Sequence, residues 1–133
     1  MILLDTHVLV WFAEDNPRLG RRTTRLTDTA LAHDEVHVSA ISFWEVAMLA
    51  DRRRLTLLVS PTVLRRAVLE QGVRELVVNG AVGIAAAELA DFHGDAADRL
   101  IVASALSLEA TLVTADRSIL MWPGSLRRHD ARN

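Results

Sequence analysis

The sequence predicts an α/β fold with a parallel sheet covered by helices on both faces. Short apolar runs alternate with longer amphipathic stretches along the chain, the pattern from which such layers are built. The length of 133 residues and the 50% hydrophobic content are those of one compact domain, residues 1–133, with 24% of residues charged. The 6 glycines and 3 prolines are too few for a low-complexity or collagen-like chain, and no linker or repeat interrupts the alternation.

The elements follow in order. Residues 1–4 form a short buried strand that ends at Asp5, and residues 8–13 continue as an apolar helix stopped by Asn16-Pro17. Residues 21–33 read as a helix and residues 35–39 alternate as a strand. Residues 42–54 are helical, and residues 55–59 form a brief extended piece. Ser60-Pro61 restarts a helix, since serine suits the N-cap and proline the first helical position, and Gly72 ends it. Residues 74–78 are a strand, residues 80–92 and 96–109 two helices, and residues 111–114 a last buried strand before a helical turn at 116–120.

Absences narrow the chemistry. The longest uncharged stretch, residues 76–87, contains Asn79 and two glycines and falls well short of the roughly 18 apolar residues a membrane helix needs. Asp5 interrupts the opening apolar run too soon for a secretory signal, so the expectation is a cytoplasmic protein. Without cysteine there is no disulfide, thiolate zinc site or catalytic thiol. Every one of the 15 cationic residues is arginine. Walker-type phosphate binding, Schiff-base chemistry and phospho-aspartyl switches all need a lysine and are excluded.

The carboxylates carry the functional information. In open parallel sheets, ligands bind beyond the carboxyl ends of the strands, where Asp5 follows Ile2-Leu3-Leu4 and Asp116 follows Leu112-Val113-Thr114 by two residues. Each acid taken alone also fits an ordinary turn or helix N-cap. Glu45 lies in the otherwise apolar run Phe43 to Ala50, which leaves two readings. It points into a cleft, or it closes an S-x-x-E capping box with Ser42. Asp98 lies above Ile101 and Val102 on an apolar helix face, or simply complements the helix dipole, while Asp95 is the better N-cap of that helix.

Four carboxylates converging on one cleft repel, at roughly 3 kcal/mol per pair about 5 Å apart under an effective dielectric near 20. The compensating charge is arginine or a bound ion, and a site of carboxylate oxygens favours Mg2+ or Mn2+ over zinc. Hydrolysis of a phosphodiester is the chemistry natural to such a site.

Four blocks in fixed order, Met1 to His7, Ser39 to Ala47, His93 to Ala103 and Leu112 to Arg117, resemble the PIN-domain ribonucleases, and within them the VapC-like toxins of bacterial toxin-antitoxin pairs. The resemblance implies a three-layer α/β/α fold with a central, mostly parallel sheet. It also implies metal-dependent endoribonuclease activity, with Asp5, Glu45 and Asp98 as metal-binding acids and Asp116 completing the quartet directly or through a water. Thr6 and Thr114 are the supporting hydroxyls, Asp95 competes with Asp98 for the third position, and Asp98 is preferred. The implied cofactor is Mg2+ or Mn2+. The implied partners are an RNA substrate, a cognate VapB-like antitoxin whose tail enters the groove, and a second copy in a homodimer. A non-catalytic binding module of the same fold, a DNA-preferring nuclease and a housekeeping RNA-processing enzyme are the alternatives.

Arginine clusters at 18–25, 52–54, 65–66 and 127–128 suit either phosphates or solvated surface. The formal net charge is -2, and setting the four acids aside leaves 13 acidic residues against 15 arginines. Trp11, Phe12, Phe43, Trp44 and Trp122 lie on apolar segments and are expected in the core. The mean hydropathy of +0.20 predicts an apolar surface for a dimer or an antitoxin helix. His33 and His37 straddle a helix-to-strand boundary and make no metal pair; His7 and His93 are packing or rim residues.

Overall fold

The computed structural model describes residues 1–133. Five strands, β1 (Ile2–Leu4), β2 (Val36–Ser39), β3 (Arg74–Leu76), β4 (Thr111–Thr114) and β5 (Arg128–Asp130), form one sheet in the order β3-β2-β1-β4-β5. All four pairings are parallel, with Ile2 opposite Val36 on one side and Thr111 on the other. The chain winds outward from β1 to β3, then crosses back to β4 and β5. The strand order therefore reverses between β1 and β4, and a crevice opens beyond their carboxyl ends.

Alternation along β1 divides the core. Ile2 and Leu4 face a cluster built from α1 (Thr6–Ala13), α2 (Arg21–Ala32) and α4 (Pro61–Glu70), with Val8, Leu9, Trp11, Leu64 and Val68 buried there. Leu3 faces the opposite cluster, where α6 (Ala96–Leu108) and α7 (Arg117–Leu120) contribute Ile101, Val102, Ala105 and Ile119. Strands buried on both faces are apolar throughout, and β1 has no exposed position. Helix α5 (Gly80–Ala87) packs outside α6 through Val82 and Ala86, and α3 (Ala40–Asp51) contacts α1, α4 and α6. The three-layer arrangement is the one expected, and its sheet is wholly parallel.

Local chemistry sets the helix starts. Ser60 Oγ accepts from Val63 N at 3.3 Å with Pro61 first in the helix, and Asn79 Oδ1 accepts from Val82 N at 2.9 Å. Gly72, at φ +105°, turns the chain out of α4 in a conformation that penalises any side chain.

Several boundaries differ from expectation. Helix α1 begins at Thr6 rather than residue 8, because Asp5 caps it. Helix α3 begins at Ala40: Ser39 is its N-cap, with Oγ accepting from Ile41 N at 3.2 Å, and Ser42 is already buried inside it. Residues 55–59 join no strand; Leu55 and Leu57 pack on the core, and Leu58 N donates to Glu14 Oε2 at 2.9 Å. β3 stops at Leu76. Helix α5 ends at Ala87 instead of residue 92, because the chain turns at Asp91 (φ 55°) to drive Phe92 into the core beside Trp122. The Arg99 guanidinium then donates to Ala86 O and Phe92 O at 3.0 and 2.8 Å. Strand β5 was not expected from the sequence. Trp44 is 56% exposed rather than buried. No helix is long and apolar enough to cross a membrane.

Candidate active site

Each expected acid is delivered to the same end of the sheet. Asp5 ends β1, Asp116 follows β4, Glu45 projects from the second turn of α3, and Asp95 and Asp98 open α6. All five line one cleft of about 410 Å³, together with His7, Trp11, Leu49, Ala115 and Arg132. The capping-box reading of Glu45 does not hold, since Ser39 rather than Ser42 caps α3. Glu45 is 8% exposed and opens onto the cleft.

The acids are held differently. Asp5, 6% exposed, accepts from Thr6 N through Oδ1 at 2.8 Å and from the Thr114 hydroxyl through Oδ2 at 2.6 Å. Thr114 Oγ1 also accepts from Asp116 N at 3.0 Å, so one buried hydroxyl joins the acids that follow β1 and β4. The Thr6 hydroxyl donates to Ser42 Oγ at 3.0 Å and ties α1 to α3. Asp116 Oδ1 accepts from both Ser118 N and Ser118 Oγ, capping α7 and leaving Oδ2 without a protein donor. Asp95 Oδ1 accepts from Asp98 N at 2.9 Å, the cap expected of it.

Asp95 does more than cap. One carboxylate oxygen each from Glu45, Asp95 and Asp98 lie within 4.8 Å of one another, close enough for a single cation to touch all three. Sequence spacing treated Asp95 and Asp98 as rivals, and the geometry brings both to the same place. Asp5 and Asp116 line the same cleft.

Crowding leaves an electrostatic signature. Burial, reinforced by Asp95, Asp5, Asp116 and Glu45, pushes the Asp98 carboxyl up to about 7. Burial also raises Glu45, opposed by the Thr6 hydroxyl and reinforced by Asp5 and Asp95. Asp5 is raised by burial against the lowering pull of its Thr114 and Thr6 hydrogen bonds. Three carboxyls that resist ionising at one place form a site whose protein charges are unbalanced, an environment compatible with a divalent cation.

Gly94 holds the approach to this cluster. A Cβ there would lie 2.6 Å from Phe92 Cζ and 2.8 Å from Asp98 Cβ. The Phe92 ring has little freedom to yield, being edge-on to Trp122 with centroids 5.7 Å apart. Gly94→Ala is therefore expected to cost about 1–3 kcal/mol through overpacking. Calorimetry would show a lowered Tm, and weaker Mn2+ binding is expected alongside it as Asp95 and Asp98 are displaced. An unchanged Tm and metal affinity would mean the loop has room that this packing denies.

Fold and site together define the class. Residues 2–120 match the PIN domain, and the chain belongs to that family. It is 36% identical over 119 residues to Ribonuclease VapC22 of Mycobacterium tuberculosis, covering 89% of this chain and 88% of that protein. Among solved structures, VapBC2 from Rickettsia felis bound to a promoter DNA fragment matches with a TM-score of 0.70 at 16% identity, covering 97% of this chain and 98% of that one. FitAcB from Neisseria gonorrhoeae matches with a TM-score of 0.65 at 24% identity, with 98% of each chain covered.

Two parts of the cleft escaped the sequence reading. Arg132 was hidden because β5, which delivers it, has no apolar pattern. Trp11, expected in the core, is buried and also lines the cleft, and Leu49 lines it too. Several arginines considered for phosphate are committed elsewhere: Arg65 pairs with Glu75 at 2.8 Å, Arg127 donates to Glu109 O, and Arg128 donates to the carbonyls of Ile119, Leu120, Trp122, Gly124 and Leu126.

Proposed function

We propose that this chain is a cytoplasmic, divalent-metal-dependent endoribonuclease, the toxin of a VapBC-like toxin-antitoxin pair, acting as a single domain. The observation that carries the reading is the convergence of five carboxylates at the point where the strand order reverses, with the oxygens of Glu45, Asp95 and Asp98 within 4.8 Å. Membership of the PIN family and the 36% identity to a ribonuclease support the same chemistry.

The donor set fits Mg2+ or Mn2+, since the three donor atoms that converge are all carboxylate oxygens and the chain offers no thiolate. Asp5, Glu45 and Asp98 would hold the ion, Asp95 would complete the ring on the α6 side, and Asp116 would contribute directly through its free Oδ2 or through a water. When bound, the cation supplies charge that activates water and stabilises negative charge developing on phosphate.

The rest is the work of the chain. Thr114 and the Thr6 amide fix both oxygens of Asp5, so its orientation is set before substrate arrives. Asp95, by capping α6, sets where Asp98 begins. An open cleft rather than a closed cavity admits a polymer strand.

Partners follow from the surface. Trp44, Leu58, Val59 and Val63 are large apolar side chains exposed on α3, α4 and the segment between them. Such a surface suits an amphipathic antitoxin helix or a second copy of the chain.

The test is cleavage of end-labelled RNA and DNA by chelator-treated protein, with Mg2+ or Mn2+ restored. RNA cut only after metal is restored is the expected result. Preferential cutting of DNA would move the reading to a deoxyribonuclease. Folded protein that takes up metal and cuts neither would make the domain a binding module.

A further inference from the structure

The five acids of the cleft pose a problem for any polyanionic substrate. A bound cation would offset part of their charge, yet a phosphate entering the cleft still meets the five carboxylates of its lining. One arginine lines the same cleft. Arg132 follows β5 and is exposed to solvent. Its Nη1 donates to Ala115 O at 2.9 Å, and its guanidinium carbon lies 5.8 Å from the centre of the Trp11 ring.

These contacts orient the group without consuming it. The tie to Ala115 fastens it to the loop between Thr114 and Asp116, and Trp11 supports the guanidinium from one side. Ala131 N donates to Thr114 O at 2.8 Å, and Arg132 N donates to Asp130 Oδ1 at 3.0 Å, so the backbone beneath it is also fixed. The ion pairs of the molecule are the amino terminus with Glu35 and Arg65 with Glu75. Arg132 thus pairs with no carboxylate although five share its cleft. One N–H is used against a protein acceptor and the remaining donors are available, a fork matched to the non-bridging oxygens of a phosphodiester.

We infer that Arg132 is a substrate-binding residue that grips a backbone phosphate of the RNA strand in the cleft and holds it against the acids. This rests on the phosphodiester reading above and adds to it the group that positions the strand. Because a guanidinium carries charge of the same sign as a metal ion and has no lone pair to ligate one, Arg132 contributes to substrate affinity rather than to holding the metal.

The experiment compares wild type, Arg132→Ala and Arg132→Lys in metal-restored protein, measuring kcat and KM on a single-stranded RNA over a series of salt concentrations. For Arg132→Ala the expected result is KM raised about 10-fold or more, with the dependence of log KM on log salt shallower by about 0.7, the loss of one phosphate contact on a single strand. Arg132→Lys retains the charge and loses the fork, so its salt dependence stays near wild type and its KM lies between the two. Mn2+-induced stabilisation of all three proteins should be equal, which separates strand binding from damage to the metal site. Wild type that cleaves RNA, with Arg132→Ala showing the same KM and the same salt dependence, overturns the assignment of Arg132 alone. Loss of Mn2+-induced stabilisation in Arg132→Ala also overturns it, by making the residue a support of the metal site. Wild type that takes up metal and cleaves no RNA overturns both this inference and the function on which it rests.

Discussion

Asp98→Asn is expected to stabilise the chelated protein at neutral pH while lowering RNA cleavage about 100-fold or more. The two effects share one cause. In the folded chain the Asp98 carboxyl is held at about 7, against 3.8 for an ordinary aspartate. Between those values the native state keeps a proton that the unfolded state has released. A state that binds more protons is favoured at low pH, so this group makes the metal-free protein lose stability as pH rises from about 4 to 7. At roughly 1.4 kcal/mol per pH unit the ceiling is about 4 kcal/mol, and partial exposure of Asp98 reduces it to about 2 kcal/mol. Asparagine removes the charge and with it this part of the pH dependence. Glu45 and Asp5 are also raised and account for what slope remains. Unfolding followed from pH 4 to 8 in chelator should show wild type and variant converging in acid and separating at neutrality, with the variant above. Adding Mn2+ should reverse the order. A variant that is less stable in chelator at pH 7.5 would show that Asp98 is not under electrostatic stress.

Thr114→Val is expected to be the most damaging single change close to the cleft, costing about 3 kcal/mol, whereas Thr114→Ser costs about 1 kcal/mol for its missing methyl. Thr114 is wholly buried, and its hydroxyl both donates to Asp5 Oδ2 at 2.6 Å and accepts from Asp116 N at 3.0 Å. Valine has nearly the same shape and can do neither. It leaves a buried carboxylate oxygen without a donor, a loss much larger than the net worth of an ordinary hydrogen bond. Asp5 would then favour its protonated form still more strongly, and Mn2+ affinity should fall about 10- to 100-fold as its orientation relaxes. Urea denaturation with metal titration of the two variants measures both effects. Equal stability of the valine and serine proteins would remove the hydroxyl from the support of the site.

What was legible in the sequence reflects where information is local. Asp5 and Asp116 could be placed because an acid after an apolar strand of a parallel sheet has only one edge to occupy. The start of α3 was misread because Ser42-Phe43-Trp44-Glu45 satisfies a capping pattern, while the cap itself is Ser39, three residues earlier. The role of Ser42, a buried hydroxyl accepting from Thr6, depends on a contact 36 residues away. Strand β5 was invisible because Arg128, His129 and Asp130 carry no apolar alternation; backbone pairing to β4 and the Arg128 hydrogen bonds to carbonyls place it. Helix α5 is shorter than the sequence suggests because Leu89, Ala90 and Phe92 carry apolar character past Ala87, though the chain has left the helix to bury the Phe92 ring. The pairing of Asp95 with Asp98 at one ion-sized position is a matter of side-chain direction, which spacing alone does not determine.

The outward-and-back winding of the sheet has a consequence during synthesis. Strand β1 is made first and lies at the centre, with β2 on one side and β4, more than 100 residues later, on the other. No two neighbouring strands are joined by a hairpin, so the sheet has no local zipper from which to grow. Asp5 stays without its Thr114 partner until that residue, 109 positions further along the chain, has been made. A nascent or truncated chain ending before β4 therefore lacks both the hydroxyl that orients Asp5 and the acid that faces it. The cleft is therefore incomplete until β4 has been made and has paired with β1, so its assembly is tied to the longest-range pairing of the sheet.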